Sequence, residues 1–245
     1  MTPSLVVLAA VLGTALASMP VFALVSRGRP DPDAARKGSS FLLGLGDFLV
    51  HWLMWAIGPI ERALLRAGAG PDSMNAAGLA FGLLSGILIG TGRLEAGGWA
   101  IAGAGIADIL DGRLARARQL ASPYGKFVDA TLDRFVETFA FLGFAVYFAA
   151  WPLGPLVVAA GLGFSLLVSY AQARGETVSV SGSGGLMQRA ERLTLQILGC
   201  LFDPVLSRAL GRPEGTVLFW ILVVTAVGAF FTAVHRTVWI ARRLK

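Results

Sequence analysis

The sequence predicts an all-α integral membrane protein: a six-helix transmembrane core, with an extra N-terminal span and an interfacial amphipathic helix before it. Three observations carry this reading. Of 245 residues, 55% are hydrophobic and only 15% charged, with a mean hydropathy of +0.68. A soluble domain carries about a quarter charged residues. Apolar runs of spanning length recur along the chain, separated by short polar turns. The basic residues behind the net charge of +6 sit at the ends of those runs. There they orient helices and meet anionic membrane lipid, and no nucleic-acid partner is expected. The single cysteine, Cys200, excludes an intramolecular disulfide and reads as a small packing residue in the apolar run Ile197 to Phe202.

Two regions follow in order. Residues 1–40 form an N-terminal transmembrane helix and cytoplasmic linker, and residues 41–245 form the membrane domain. Leu5 to Val25 is long enough to span, and Arg27, Arg29, Arg36 and Lys37 after it place its C-terminal end in the cytoplasm. A cleaved signal peptide ending near Ala15-Leu16-Ala17 is the rival reading, but Met-Thr-Pro-Ser lacks the usual basic start. A linker with Pro30 and Pro32 leads to Phe41 to Ala67, which mixes apolar residues with Asp47, His51, Glu61, Arg62 and Arg66. That pattern fits a helix lying along the cytoplasmic surface, with Trp52 and Trp55 at the headgroups and Pro59 as a kink or new turn. His51 reads as an interfacial polar residue.

The next helix starts at Pro71 and carries Gly78, Gly82, Gly86 and Gly90, a smooth ridge suited to close contact within or between subunits. Ala96 to Arg118 returns inward, Phe127 to Trp151 goes out, and Leu156 to Ala173 comes back after a turn at Leu153-Gly154-Pro155. A polar segment from Arg174 to Glu191 contains the flexible stretch Ser179 to Gly185. Leu193 to Leu206 is short for a span unless it borrows from that segment, and Val217 to Ile240 ends at basic Arg242, Arg243 and Lys245.

One stretch departs from this lipid-adapted pattern. Ala107 to Arg134 holds Asp108 and Asp111, three apart, then Asp129 and Asp133, four apart. Each spacing puts two carboxylates on one helix face. Ser122-Pro123-Tyr124-Gly125 is the turn signal between the helices. Four anions aimed at one another repel unless cations intervene, and hard oxygen ligands point to Mg²⁺ or Mn²⁺. Gly112 and Ala115 keep a helix face low enough for a nucleotide, and Arg116 offers a donor fork to phosphate. With a rise of about 1.5 Å per residue, Asp108 lies roughly 15 Å from the Arg118 end. Arg113, Arg116, Arg118 and Lys126 set the site facing the cytoplasm of a bacterial-type plasma membrane.

The spacing Asp108-x-x-Asp111-Gly112-x-x-Ala115-Arg116, eight residues, then Gly125-x-x-x-Asp129-x-x-x-Asp133 resembles the signature of the CDP-alcohol phosphotransferase family. The resemblance implies a membrane enzyme that displaces CMP from a CDP-linked donor with an alcohol. It implies divalent metal, with two ions expected, at Asp108, Asp111, Asp129 and Asp133, and Asp133 as base toward the hydroxyl. Gly112, Ala115, Arg116 and Gly125 would border the CDP group. One departure lies at Asp72 and Asn75, where family members often have Asn and Thr. Ser169-Tyr170-x-x-Ala173-Arg174 and Gln188-Arg189-x-Glu191-Arg192 resemble the phosphatidylinositol-phosphate synthase branch, with Gln172 where that branch has lysine. Arg174, Arg189 and Arg192 are the candidate contacts for an acceptor phosphate, and membrane anchoring is their plain alternative.

The reading that follows is a metal-dependent phosphatidyltransferase of phospholipid biosynthesis, moving phosphatidyl from CDP-diacylglycerol to a small, possibly phosphorylated alcohol. A homodimer is expected from the resemblance. Two alternatives stay open: a CDP-choline or CDP-ethanolamine enzyme with diacylglycerol as acceptor, and a cation transporter lined by intramembrane carboxylates.

Overall fold

In the computed structural model, residues 3–26, 45–180 and 184–245 are described. The basic linker from Arg27 to Ser40, and Ser181, Gly182 and Ser183 of the polar segment, lie outside them. The described residues fold into helices without strands: α1 (Pro3–Val25), α2 (Leu45–Arg66), α3 (Pro71–Gly90), α4 (Leu94–Ala117), α5 (Pro123–Tyr147), α6 (Gly154–Thr177), α7 (Arg189–Ala209) and α8 (Thr216–Arg243). They group into two compact units, Met1–Ala69 and Gly70–Lys245.

In the first unit, Trp52 Nε1 of α2 donates to Ser18 Oγ of α1 at 2.9 Å, and Phe22 packs on Phe48 and Trp55. Pro59 sits inside α2 without ending it. Phe48–Arg66 is long and apolar enough to cross a membrane, so the ground for an interfacial position is its two-faced pattern rather than its length. Met54 and Ile57 are buried on one side, while Ile60 is exposed on another.

In the second unit, three more stretches have spanning length and composition: Pro71–Gly90, Gly154–Thr177 and Thr216–Arg243. The helices α4, α5 and α7 lack that uniform apolarity because they carry the charged residues of the site. Leu83, Leu84 and Ile87 on α3, with Trp220, Val224 and Phe231 on α8, point outward, as lipid-facing side chains do. Inside, Ile89, Leu94, Ile101, Phe141, Phe144, Phe148, Leu218 and Leu222 form one core. Cys200 belongs to that core and is fully buried, as its apolar setting predicts.

The glycine ridge of α3 works within this unit. Its upper part meets α4, where a Cβ on Gly78 would sit 3.6 Å from Ala107 Cβ. Its remainder meets α5: Gly82 lies against Val136, Gly86 against the Phe139 carbonyl, and Gly90 against Val146. Gly143 of α5 reciprocates, with the Gly86 carbonyl oxygen 2.5 Å from where its Cβ would be. The backbones approach this closely only because side chains are missing on both sides. Thus α3 packs extensively on both α4 and α5, while those two touch little directly.

The end of the bundle remote from the aspartates is closed by Asp203 of α7. Its buried carboxylate accepts from Ser207 Oγ (2.8 Å), Gly215 N–H (2.5 Å) and Leu218 N–H (2.9 Å), capping the start of α8 from a neighbouring helix. The helix α7 begins at Arg189, four residues before the apolar run, so it does borrow length from the polar segment.

Gly86→Ala places a methyl against the Phe139 carbonyl and is expected to lower the thermal unfolding temperature of detergent-solubilised protein, at a cost of about 1–3 kcal/mol. Gly163→Ala, with nothing within 4 Å of the added carbon, is expected to leave it unchanged.

Candidate active site

The site forms where the C-terminal half of α4, the N-terminal half of α5 and the first turn of α7 converge. The link between α4 and α5 differs from its expected form. Ser122-Pro123-Tyr124-Gly125 opens α5 rather than forming a loop: Ser122 Oγ accepts the Gly125 N–H at 3.1 Å, and Pro123 takes the first helical position. A serine oxygen satisfies an otherwise unpaired helix donor there, and proline has no N–H to leave unpaired. The turn therefore falls earlier, around Gln119, whose φ of 58° is left-handed. The shift puts Gly125 in the first turn of α5, beside the site.

Asp108 and Asp111 on α4 and Asp129 on α5 each offer a carboxylate oxygen, and these atoms lie within 4.8 Å of one another. Asp111 is buried and the other two partly so. Three oxygen ligands this close suit a hard divalent cation, and they suit nothing else without neutralisation. Asp133, one turn further along α5, lies beside Asp108 at the edge of this trio. Its Oδ1 accepts from Arg189 Nη2 at 2.6 Å, while Arg189 Nη1 donates to Asp108 Oδ2 at 3.1 Å. All four aspartates and Arg189 line one small cavity of about 20 Å³, room for a single water-sized body.

A larger cavity of about 480 Å³ adjoins it and shares Asp111 and Asp129. Gly112, Ala115, Arg116 and Gly125 all line it, as do Asp72 and Asn75 of α3. Its volume lies in the usual range for a small-molecule site. Gly112 matters sterically, because a Cβ there would stand 3.1 Å from Arg116 Nη1 and push the guanidinium aside. The residues expected to hold metal and those expected to border a nucleotide thus meet along one wall.

The three arginines expected at an acceptor phosphate are placed differently from one another. Arg189 joins the aspartates. Arg174 is exposed near the C-terminal end of α6. Arg192 is almost fully buried, and its guanidinium is held by Glu137 at 2.9 Å and by the Met187 carbonyl at 3.2 Å. This departs from the ligand-facing position expected for it, since a buried guanidinium requires a partnered carboxylate and finds one on α5. Gln172, the position of the missing lysine, accepts from Arg236 Nη1 at 2.7 Å. Sequence reasoning missed Glu137 and Arg236. The first had a signal: Asp129, Asp133 and Glu137 recur every four residues along one face of α5. Arg236 had none, since it lies in an apolar helix far along the chain.

Comparison with known proteins gives the family and the fold. The family model described as CDP-alcohol phosphatidyltransferase matches residues 73–241. Phosphatidylinositol phosphate synthase of Mycobacteroides abscessus is 38% identical over 150 residues, covering 59% of this chain and 68% of that one. The enzyme of the same name from Mycobacterium tuberculosis is 33% identical over 187 residues, covering 74% and 84%. Archaetidylinositol phosphate synthase of Methanothermobacter thermautotrophicus is 31% identical over 155 residues, covering 63% and 74%. Among solved structures, the Mycobacterium tuberculosis enzyme with CDP-diacylglycerol bound aligns with a TM-score of 0.63 at 30% identity, over 74% of this chain and 92% of that one. Its complex with manganese and citrate aligns with a TM-score of 0.65 at 30% identity, over 74% and 88%. The chain belongs to the CDP-alcohol phosphatidyltransferase family and is a membrane-embedded transferase of phospholipid biosynthesis.

Proposed function

We propose that the protein transfers the phosphatidyl group of CDP-diacylglycerol to a phosphorylated inositol, releasing CMP. The observation that carries this reading is the wall shared by the aspartate trio and the 480 Å³ cavity, with Arg189 bonded to Asp108 and Asp133, which do not line that cavity. The relatives' names and the donor bound in the aligned structure support both substrates.

In this reading Asp108, Asp111 and Asp129, with Asp133, hold divalent metal, Mg²⁺ or Mn²⁺. Bound there, the metal neutralises charge on the pyrophosphate and on the departing phosphate. The manganese complex of the aligned structure supports this ligand class. Gly112, Ala115 and Gly125 leave the backbone low beneath the nucleotide, and Arg116 reaches its phosphates. Asp133 accepts the proton of the acceptor hydroxyl. The new bond forms from that oxygen to the β-phosphorus, while the bond from the β-phosphorus to the bridging oxygen breaks and CMP leaves. Arg189 orients the Asp133 carboxyl group through their contact and directs its remaining donors to the acceptor's phosphate. Arg174 adds a positive charge on the approach. The cytoplasmic orientation of the site, from the basic residues around it, and a homodimeric assembly are parts of the same proposal.

The test uses purified protein in lipid nanodiscs. With CDP-diacylglycerol and Mg²⁺ or Mn²⁺, a panel of inositol phosphate, glycerol phosphate, serine and inositol should give CMP and lipid product with inositol phosphate. Product with another member of the panel would reassign the acceptor. Separately, Asp133→Asn should lower turnover on the order of 10²–10⁴-fold, as loss of a general base does. Asp111→Asn should weaken Mn²⁺ binding, and chelation of metal should abolish CMP release until Mn²⁺ is restored.

A further inference from the structure

Two ion pairs, stacked one turn apart, join α5 to α7. Asp133 meets Arg189 at 2.6 Å, and Glu137, four residues on, meets Arg192 at 2.9 Å. Their surroundings differ. The side chains of Arg189 and Asp133 keep 25% and 15% of their exposure at the cavity, whereas those of Arg192 and Glu137 keep 1% and 7%. The inner pair is also the better tied. Arg192 Nε donates to Glu137 Oε1 at 3.0 Å, Nη2 to Oε2 at 3.3 Å, and Nη1 to the Met187 carbonyl at 3.2 Å. Met187 N–H in turn donates to Thr232 Oγ1 of α8 at 3.1 Å, so the approach to α7 is anchored on a second helix.

A guanidinium facing a carboxylate through two parallel bonds tolerates little sliding or rotation, unlike apolar packing. We infer that Glu137 is a positioning residue for the transfer reaction: its buried pair with Arg192 sets the register of α7 on α5, which holds Arg189 between Asp108 and Asp133. This rests on the roles proposed above for the aspartates and Arg189. Glu137 does not line the small cavity between the aspartates, so its influence on the reaction passes through Arg189. Arg189 is the first residue of its helix, with no further turn before it to steady the backbone. A displacement of about 1 Å at such a site can cost on the order of 10²-fold in rate.

The test uses full-length protein in nanodiscs and three variants: Glu137→Leu with Arg192→Met, Glu137→Gln, and Arg189→Gln. The double substitution replaces the pair by apolar side chains and leaves neither member's charge buried alone; Arg134, 3.9 Å from Glu137, keeps Asp133 at 4.0 Å, so the variant is expected to fold. Mn²⁺ binding without substrate is read by electron paramagnetic resonance, alongside thermal unfolding and the kinetics for each substrate. The Arg189 guanidinium competes with a cation for Asp108 and Asp133. Arg189→Gln and the double variant should therefore each tighten Mn²⁺ binding, by roughly three- to tenfold. Combining them should add nothing further. Turnover of the double variant should fall about 10- to 100-fold, with KM for CDP-diacylglycerol little changed. Glu137→Gln should tighten Mn²⁺ binding to a lesser degree. Loss of its negative charge alone would loosen that binding, so the sign separates positioning from direct electrostatics.

Unchanged Mn²⁺ affinity and turnover in the folded double variant, full additivity with Arg189→Gln, or looser binding in Glu137→Gln would overturn the inference. Absence of CMP release by the unmodified protein with every acceptor would instead defeat the functional reading, while the Mn²⁺ comparison still decides the part played by Glu137.

Discussion

Carboxylates brought together at the edge of a lipid-adapted bundle repel one another, and the whole architecture is arranged around keeping four of them there. Asp108 and Asp111 come from α4, Asp129 and Asp133 from α5, yet these two helices make little direct contact. What brings their acidic faces together is α3. Its glycines let it lie against α4 at Gly78 and against α5 at Gly82, Gly86 and Gly90, so both helices are drawn onto one narrow template. The repulsion that results is offset partly by Arg189, which touches Asp108 and Asp133, and leaves Asp108, Asp111 and Asp129 with oxygens spaced for a divalent cation.

That division of the acidic set suits phosphoryl chemistry. Three carboxylates could neutralise a pyrophosphate through metal, while the fourth, Asp133, is bonded to Arg189 at the same cavity. The adjoining cavity continues from the same wall and is lined by Gly112 and Gly125, so a molecule placed there would meet Asp111 and Asp129 directly. The remote end of the bundle is built oppositely. There Asp203 is fully enclosed and saturated by donors from Ser207, Gly215 and Leu218, a carboxylate used to lock two helices. The same residue type lines an open cavity at one end and locks helices at the other, and its hydrogen-bond partners differ accordingly.

Much of this was legible in the chain. The spacing of the four aspartates, the low residues Gly112 and Ala115, and the apolar helices could be read directly, because each depends on local periodicity. Ser122 to Gly125 was legible as a break yet ambiguous in kind: the residues that favour a turn also favour a helix start, and the cap is decided by the hydrogen bond to Gly125. The glycine ridge announced close packing without naming its partner, which lies within the same unit. Arg192 resembled Arg189 in sequence, three residues apart on one helix, but only Arg189 reaches the cavity. The difference comes from Glu137, a carboxylate 55 residues earlier in the chain, and a contact of that separation has no local signature.

Under the proposed function, Asp108, Asp111 and Asp129 hold a divalent cation at the wall of the 480 Å³ cavity. Crystals grown with Mn²⁺ and measured for anomalous scattering at the manganese edge test it most directly. A strong anomalous peak is expected among those three carboxylates. A map with manganese bound elsewhere in the protein and no density among them would contradict it.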